Sequence, residues 1–259
     1  MAETFEVWRC AGCQSVHAQG KVDLDAYYAS YPVHDVPLDW RTRPMFDKLR
    51  RRLLRAGMKR TDTVLDYGCG SGAFLRFLAW AKHPNAVGFD AYTNAYADTA
   101  VLDGFYDCVV SQDVIEHVPD PLVFLDTMNR LTRPGGLIAV GTPDAAGIRL
   151  DDPEADVHAL HQPYHRHILS AAALRAAGAA RGWVVVKHHR TMYVNTPWPF
   201  VNSRFVAMLM KARDNTLDTT LEPPSWKLVA MLPWTLSVGL FGALWPAKSE
   251  MMTIFRKPV

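Results

Sequence analysis

Short uninterrupted apolar runs alternate along this chain with longer stretches whose apolar positions recur every three or four residues. Thr63-Val-Leu-Asp-Tyr67 is such a run and leads straight into glycines. Ala86–Asp90, Tyr106–Gln112, Leu137–Gly141, Trp183–Lys187 and Met251–Phe255 read the same way. Runs of this length bounded by turn residues predict strands buried on both faces. Between them, Ala73–Trp80 and the stretch from about Asp120 to Thr132 have helical length. So does the alanine-rich segment that opens on Ser170 as its cap and closes near Gly178 or Gly182. Phe46, Leu49, Leu53 and Ala56 keep helical spacing over 41–60, in a helix that opens near Pro44. Strands and helices in alternation predict an α/β fold, a parallel sheet with helices on both faces.

The turn between the first strand and its helix carries the first chemical signal. Asp66-Tyr-Gly68-Cys-Gly70-Ser-Gly72-Ala73 lets the backbone approach a ligand and points a helix N-terminus at it. Glycine spacing alone leaves a dinucleotide site open, because Gly68-x-Gly70-x-x-Ala73 fits a loose form of that fingerprint. Two acids narrow the choice. Asp66 precedes the turn, where it faces a cation or an amine, and Asp90 closes the second strand, where a carboxylate accepts from both hydroxyls of a ribose.

Val64-Leu-Asp-Tyr-Gly-Cys-Gly-Ser-Gly72 resembles motif I of class I S-adenosylmethionine-dependent methyltransferases. Ser111-Gln-Asp-Val-Ile-Glu-His-Val-Pro-Asp-Pro121 resembles the segment after the fourth strand in the ubiquinone-biosynthesis O-methyltransferase-like branch. Leu131–Leu137, Gly141-Thr-Pro-Asp144 and His165-Arg-His-Ile-Leu-Ser170 are similar to its later motifs, and all occur in order. The resemblance covers roughly 60–190 and the terminal strand. It implies a Rossmann-like, seven-stranded, mostly parallel sheet with a reversed last strand, and S-adenosyl-L-methionine as cofactor. It assigns Asp66, Tyr67, Gly68, Gly70 and Gly72 to the cofactor's methionine end, Asp90 and Ala91 to its ribose, and Gln112 and Asp113 to the methyl-transfer side. About fifteen residues separate Asp90 from the fourth strand, which leaves the usual third strand and its adenine-contacting acid hard to place; Asp98 and Asp103 are the candidates.

Methyl transfer to a hydroxyl profits from a base near neutral pKa, and His117 and His165 are the candidate catalytic residues. His158, His161, His165 and His167 also gather with Asp151, Asp152, Glu154 and Asp156, without a diagnostic metal spacing. No metal is expected in the active site. Cys10-Ala-Gly-Cys13 with His17 resembles part of a zinc knuckle but lacks a fourth ligand, and Asp25-Ala-Tyr-Tyr28 resembles the stretch that follows such an element in relatives.

About sixty residues precede the last strand, far more than a hairpin needs. Leu228–Trp245 is eighteen residues without a charge, with Trp234 and Trp245 in it and Trp226 just before. Pro233 and the need to return to the sheet argue against a membrane span. Two readings remain open: a helix lying in the membrane interface, and a lid or dimer helix buried against protein. Nine Lys or Arg against one acid over 41–60 read, taken alone, as the solvated face of a packed helix; beside the apolar insertion they add a surface suited to anionic lipid. The organisation expected is therefore an N-terminal extension (1–40), a cofactor-binding core (41–195), a hydrophobic helical insertion (196–249) and the last strand (250–259).

Composition adds exclusions. With 259 residues, 49% hydrophobic and 21% charged, the chain has the mix of a globular protein. A net charge of +2 gives no ground for a nucleic-acid partner. Four cysteines, two in core segments, and an acidic N-terminus without an apolar run lead to a cytoplasmic expectation, peripheral to the inner face of a membrane if the insertion meets lipid. The function expected is methyl transfer to a small apolar or lipid-like acceptor, by O-methylation with histidine assistance, in a monomer or homodimer. The alternatives are a macromolecular (RNA or protein) methyltransferase and a catalytically silent cofactor-binding protein.

Overall fold

The structure is a computed structural model that describes residues 5–20, 22–23, 26–27, 36–213, 233–246 and 248–259. The strands are β1 (Val7–Arg9), β2 (Val16–Ala18), β3 (Val64–Tyr67), β4 (Ala86–Phe89), β5 (Tyr106–Gln112), β6 (Thr132–Pro143), β7 (His167–Ile168), β8 (Val184–His189) and β9 (Glu250–Arg256). The helices are α1 (Thr42–Ala56), α2 (Ala73–Trp80), α3 (Pro121–Leu131), α4 (Val157–Leu160), α5 (Ala171–Ala180), α6 (Ser203–Arg213) and α7 (Pro233–Phe241).

The central sheet runs β4-β3-β5-β6-β9-β8. Pairs β3–β4, β3–β5 and β5–β6 are parallel, and β9 is antiparallel to both of its neighbours, so the last strand is reversed as expected. Among the described residues this sheet has six strands rather than seven. Residues 91–105 make two short 3-10 turns, Asn94–Tyr96 and Thr99–Asp103, before β5 begins. A parallel neighbour needs a crossover of a dozen or more residues plus the strand itself, and this segment is too short for both. β4 is therefore the sheet edge, and Asp98, a candidate adenine acid, caps a 3-10 turn by accepting from the Ala100 N–H.

Four helices pack an apolar stripe on the sheet, while α6 and α7 pack on each other through Phe205 and Val238. Phe46, Leu49 and Leu53 of α1 meet Phe74, Phe77 and Leu78 of α2 and Val64 of β3 on one face. Phe124, Leu125 and Met128 of α3 and Leu174 of α5 cover the other. The expected Ser170 cap forms, its Oγ accepting from Ala173 N–H, and Asp120 also caps α3 by accepting from Leu122 N–H and Val123 N–H, with Pro121 at the first helical position. Pro134-Gly-Gly136 lies within β6, where the register with β5 shifts between Tyr106 and Cys108. It is a bulge inside one long strand, not a turn before a short one.

The N-terminal hairpin joins β7 in a three-stranded antiparallel sheet. Cys10 and Cys13 flank its turn, while His17 pairs Nδ1 to Nδ1 with His167 at 3.0 Å. Two of the basic residues of α1 point inward: Arg52, 6% exposed, donates to the Thr191 carbonyl and hydroxyl, and Lys48 reaches the Asn195 carbonyl. Arg50 and Arg51 pair with Asp47. The helix thus presents a smaller cationic face than its sequence suggests. Of the hydrophobic insertion, residues 196–213 with α6, and α7 with the adjoining 3-10 turn Gly242–Leu244, are described; Trp226 and residues 228–232, with Asp25 and Tyr28 near the N-terminus, lie outside the described residues. No helix among the described residues is long and apolar enough to cross a membrane.

Candidate active site

The C-terminal ends of β3, β5 and β6 open into a cavity of about 950 Å³. The glycine turn forms one wall. Gly68, Gly70 and Gly72 all have positive φ (80°, 51° and 73°), a backbone region that disfavours side chains. The N–H groups of Gly68 and Cys69 both donate to the Phe89 carbonyl, at 2.7 and 3.1 Å, which fixes the turn to β4. A Cβ at Gly68 would collide with Val114 and one at Gly72 with the Tyr96 ring, whereas Gly70 faces open space. Packing therefore dictates two of these glycines, and the third leaves room for a ligand.

The acids stand beside the turn. Asp66, 5% exposed, is pushed up to about pKa 7, first by burial and then by the neighbouring charge of Asp90. Asp90 Oδ2 accepts from the Gly70 N–H and Oδ1 from the Tyr92 N–H, both at 2.9 Å. Each oxygen keeps a second acceptor site. Ala91 lines the cavity beside it. The Tyr67 ring packs against Phe89 and Phe124, so its contribution to the turn is mainly structural, and burial raises its phenol pKa.

Gln112 Nε2 donates to the Ser111 carbonyl, while its Oε1 is buried with no hydrogen-bond partner. Asp113 holds φ 57° and donates its N–H to the Gly141 carbonyl. A non-glycine residue in this conformation carries strain, which is common at functional sites. Its side chain is exposed where it lines the cavity, and the surrounding protein, followed by Glu250, raises its carboxyl pKa.

The two candidate histidines come together, His117 and His165 meeting edge to face with ring centroids 4.7 Å apart. His165 Nδ1 is 2.6 Å from the Ala159 carbonyl, and a carbonyl only accepts, so Nδ1 carries the proton and Nε2 a lone pair. Burial, then His161, drives His117 down to about 3, and a hydrogen bond with the Tyr164 backbone opposes them. His117 therefore stays neutral at physiological pH. Glu116, fully buried, accepts from the Thr142 hydroxyl at 2.9 Å, and its other oxygen has no partner. Burial and Asp113 hold its carboxyl well above the usual range. Among the described residues, Glu116, His117 and His165 are the group whose ligand atoms converge within 4.8 Å; Cys10, Cys13 and His17 do not. In the acidic loop, Arg149 pairs with Asp152 and its N–H donates to Asp156, and the side chains of Glu154 and His158 lie outside the described residues.

Sequence reasoning missed the far wall. Lys48, Tyr193 and Glu250 are partly buried around this end of the sheet, Tyr193 stacking on Phe46. A lone acid directly before the apolar run Met251–Phe255 was the available signal for Glu250, and an acid flanked by Ile115 and His117 was the one for Glu116.

A family profile described as Methyltransferase domain matches residues 40–188. The chain is 29% identical over 161 residues to the ubiquinone biosynthesis O-methyltransferase of Dinoroseobacter shibae, covering 54% of this chain and 64% of that one. It is 28% identical over 141 residues to the 2-methyl-6-phytyl-1,4-hydroquinone methyltransferase of Synechocystis sp., covering 47% and 43%. The chain thus spans less than two thirds of these relatives' length. A chain in the solved complex between the Haloferax volcanii Trm112 methyltransferase activator and a methyltransferase superposes with TM-score 0.51 at 18% identity, over 93% of this chain and 100% of that one. This last likeness speaks for the fold. The site's donor set fits S-adenosylmethionine: Asp66 suits an ammonium, Asp90 a ribose, Gly70 leaves a cradle that a Cβ would fill, and Gln112 Oε1 awaits a donor. Fold, turn and family profile agree, and the chain belongs to the Methyltransferase domain family, with the class I S-adenosylmethionine-dependent architecture.

Proposed function

We propose that the chain catalyses methyl transfer from S-adenosylmethionine to a hydroxyl of a small apolar acceptor of the quinone-precursor kind. The observation that carries this reading is the shared cavity. The glycine turn with Asp66 and Asp90 borders it on one side, and Met45, Phe46, Phe205 and Met210 give it an apolar lining within reach of the histidine pair. The names of the Dinoroseobacter and Synechocystis relatives support a hydroxyl-bearing ring as acceptor.

Bound S-adenosylmethionine supplies an electrophilic methyl group on a cationic sulfur. Asp66 and Asp90 hold the cofactor's ends, with Tyr67, Gly68, Gly70, Gly72 and Ala91 shaping the pocket and Gln112 and Asp113 bordering the transfer side. The apolar lining excludes water and restricts the acceptor's orientation, effects worth up to roughly 7–11 kcal/mol in well-aligned reactions. His165 Nε2, unprotonated because Nδ1 serves the Ala159 carbonyl, takes the hydroxyl proton. His117 orients the His165 ring edge-on.

Exposed large apolar side chains on and around α7 support peripheral membrane contact. Trp198, Trp234, Phe241, Leu244 and Trp245 are 53, 65, 55, 77 and 42% exposed, a concentration of large apolar side chains rare on surfaces without a partner. Co-sedimentation with anionic vesicles at low salt tests it, and protein remaining in the supernatant contradicts it.

The activity is tested with methyl-labelled S-adenosylmethionine, the protein and a cell extract, followed by partition of the label. Label in the organic phase is expected, with the rate falling about 10²–10⁴-fold in His165→Ala at unchanged S-adenosylhomocysteine affinity. Label in the acid-insoluble pellet indicates a macromolecular acceptor instead, and an unaltered rate in the variant removes the histidine from the chemistry.

A further inference from the structure

The reversed strand β9 does more than close the sheet. Because it runs antiparallel to β6, its first residue, Glu250, lies opposite Pro143, the last residue of β6. The strand thus delivers a carboxylate to the edge where β3 and β5 deliver Asp66 and Asp113. Ligands of open α/β sheets bind at this edge.

Glu250 is partly buried, and a carboxylate so placed with a purely structural role pairs with a cation or saturates its oxygens with donors. Glu250 does neither. Lys48 and Arg52, on successive turns of α1, lie close enough to favour its ionised form. Yet no ion pair within 4.0 Å reaches it among the described residues. Both cations serve oxygens of the 191–195 segment instead: Arg52 donates to the Thr191 carbonyl at 2.7 Å and hydroxyl at 2.8 Å, and Lys48 to the Asn195 carbonyl. Glu250 itself accepts from the Met192 N–H at 3.2 Å and from Ser203. A carboxylate has about four acceptor sites, so about two remain, on a group that lines the cavity beside Phe205 and Met210.

We propose that Glu250 is the acceptor-binding carboxylate of this cavity, accepting a hydrogen bond from a hydroxyl on an otherwise apolar substrate. The inference rests on the methyl-acceptor reading of the cavity and adds the residue that recognises the acceptor. A neutral hydroxyl suits the site better than an ammonium. Lys48 and Arg52 already favour the ionised form of Glu250 and would repel a further cation, whereas a hydroxyl fills the open acceptor sites.

The experiment titrates 4-nonylphenol and its methyl ether, 4-nonylanisole, into protein saturated with S-adenosylhomocysteine. The wild type is expected to prefer the phenol by about tenfold or more, the yield of a hydrogen bond to a charged group. Glu250→Gln, which keeps the shape and the Met192 contact, is expected to abolish that preference while retaining its Tm and S-adenosylhomocysteine affinity. Glu250→Asp, which keeps the charge on a shorter arm, is expected to keep part of it. A wild type that does not distinguish the two compounds, or a Glu250→Gln protein that distinguishes them as the wild type does, overturns the proposal. Failure of the wild type to bind S-adenosylhomocysteine in the preliminary titration instead overturns the methyltransferase reading itself.

Discussion

The cofactor side and the acceptor side of the cavity are built by opposite strategies. The cofactor side is a continuous piece of chain: β3, the glycine turn, α2 and β4, closed by a bond from Gly70 to Asp90 only 20 residues away. The acceptor side is assembled from α1, the 191–210 segment and β9, with bonds such as Arg52 to Thr191 spanning 139 residues. A local loop closes at low entropic cost and tolerates little variation, because its backbone geometry is the binding site. The non-local wall is held by side chains that can change one at a time. The fold therefore keeps one ligand's site fixed and leaves the other's free to diverge.

The largest blow to the local side is expected from Gly72→Val. The new side chain enters a positive-φ position against the Tyr96 ring, a cost of about 2–5 kcal/mol from strain and overpacking. Thermal unfolding should register it as a large fall in Tm, together with loss of S-adenosylhomocysteine binding. An unchanged Tm would mean that the turn is not packed as described.

Asp66→Asn separates stability from function within the same turn. Asp66 has its folded pKa raised from 3.8 to about 7, chiefly by burial and then by Asp90, so the native state holds a proton that the unfolded chain releases near pH 4. Its contribution to stability is complete below about pH 4 and is lost as pH rises through about 7. The Tm difference between Asp66→Asn and the wild type should be small at pH 4 and grow in the variant's favour toward pH 8. The gain corresponds to about 2–4 kcal/mol, while cofactor binding weakens. A constant difference across that range contradicts the assignment.

Asp90→Asn keeps the size of the side chain and weakens two hydrogen bonds to the turn. It is expected to reduce S-adenosylhomocysteine affinity by about tenfold to a hundredfold, measured calorimetrically. On the other side of the comparison, Trp234→Ser with Leu244→Ser removes two exposed side chains and should alter stability by no more than about 0.5 kcal/mol while abolishing vesicle binding. Retained vesicle binding would leave α7 and the turn after it as a protein surface.

The same contrast explains what the sequence disclosed. β3, its glycines, α2 and Asp90 were legible because period, punctuation and chemistry lie within one stretch of chain. The pairing of His117 with His165 was legible only as two candidates, since nothing local says that β5 and the loop before β7 meet. The three-stranded sheet was hidden because β7 is two residues long and its partner lies about 150 residues away. Lys48 and Arg52 read as surface charge because helical spacing alone does not reveal that the 191–195 segment supplies buried acceptors for them. The missing third strand was visible as an arithmetic deficit, fifteen residues where a helix and a strand would have to fit.

Hydrogen exchange with and without S-adenosylhomocysteine tests the division most directly. The expected result is slowed exchange at residues 66–73 and 89–93, with the further slowing at 191–206 appearing when 4-nonylphenol is added. Slowing that leaves 66–73 untouched while appearing at 191–206 on S-adenosylhomocysteine alone would contradict it.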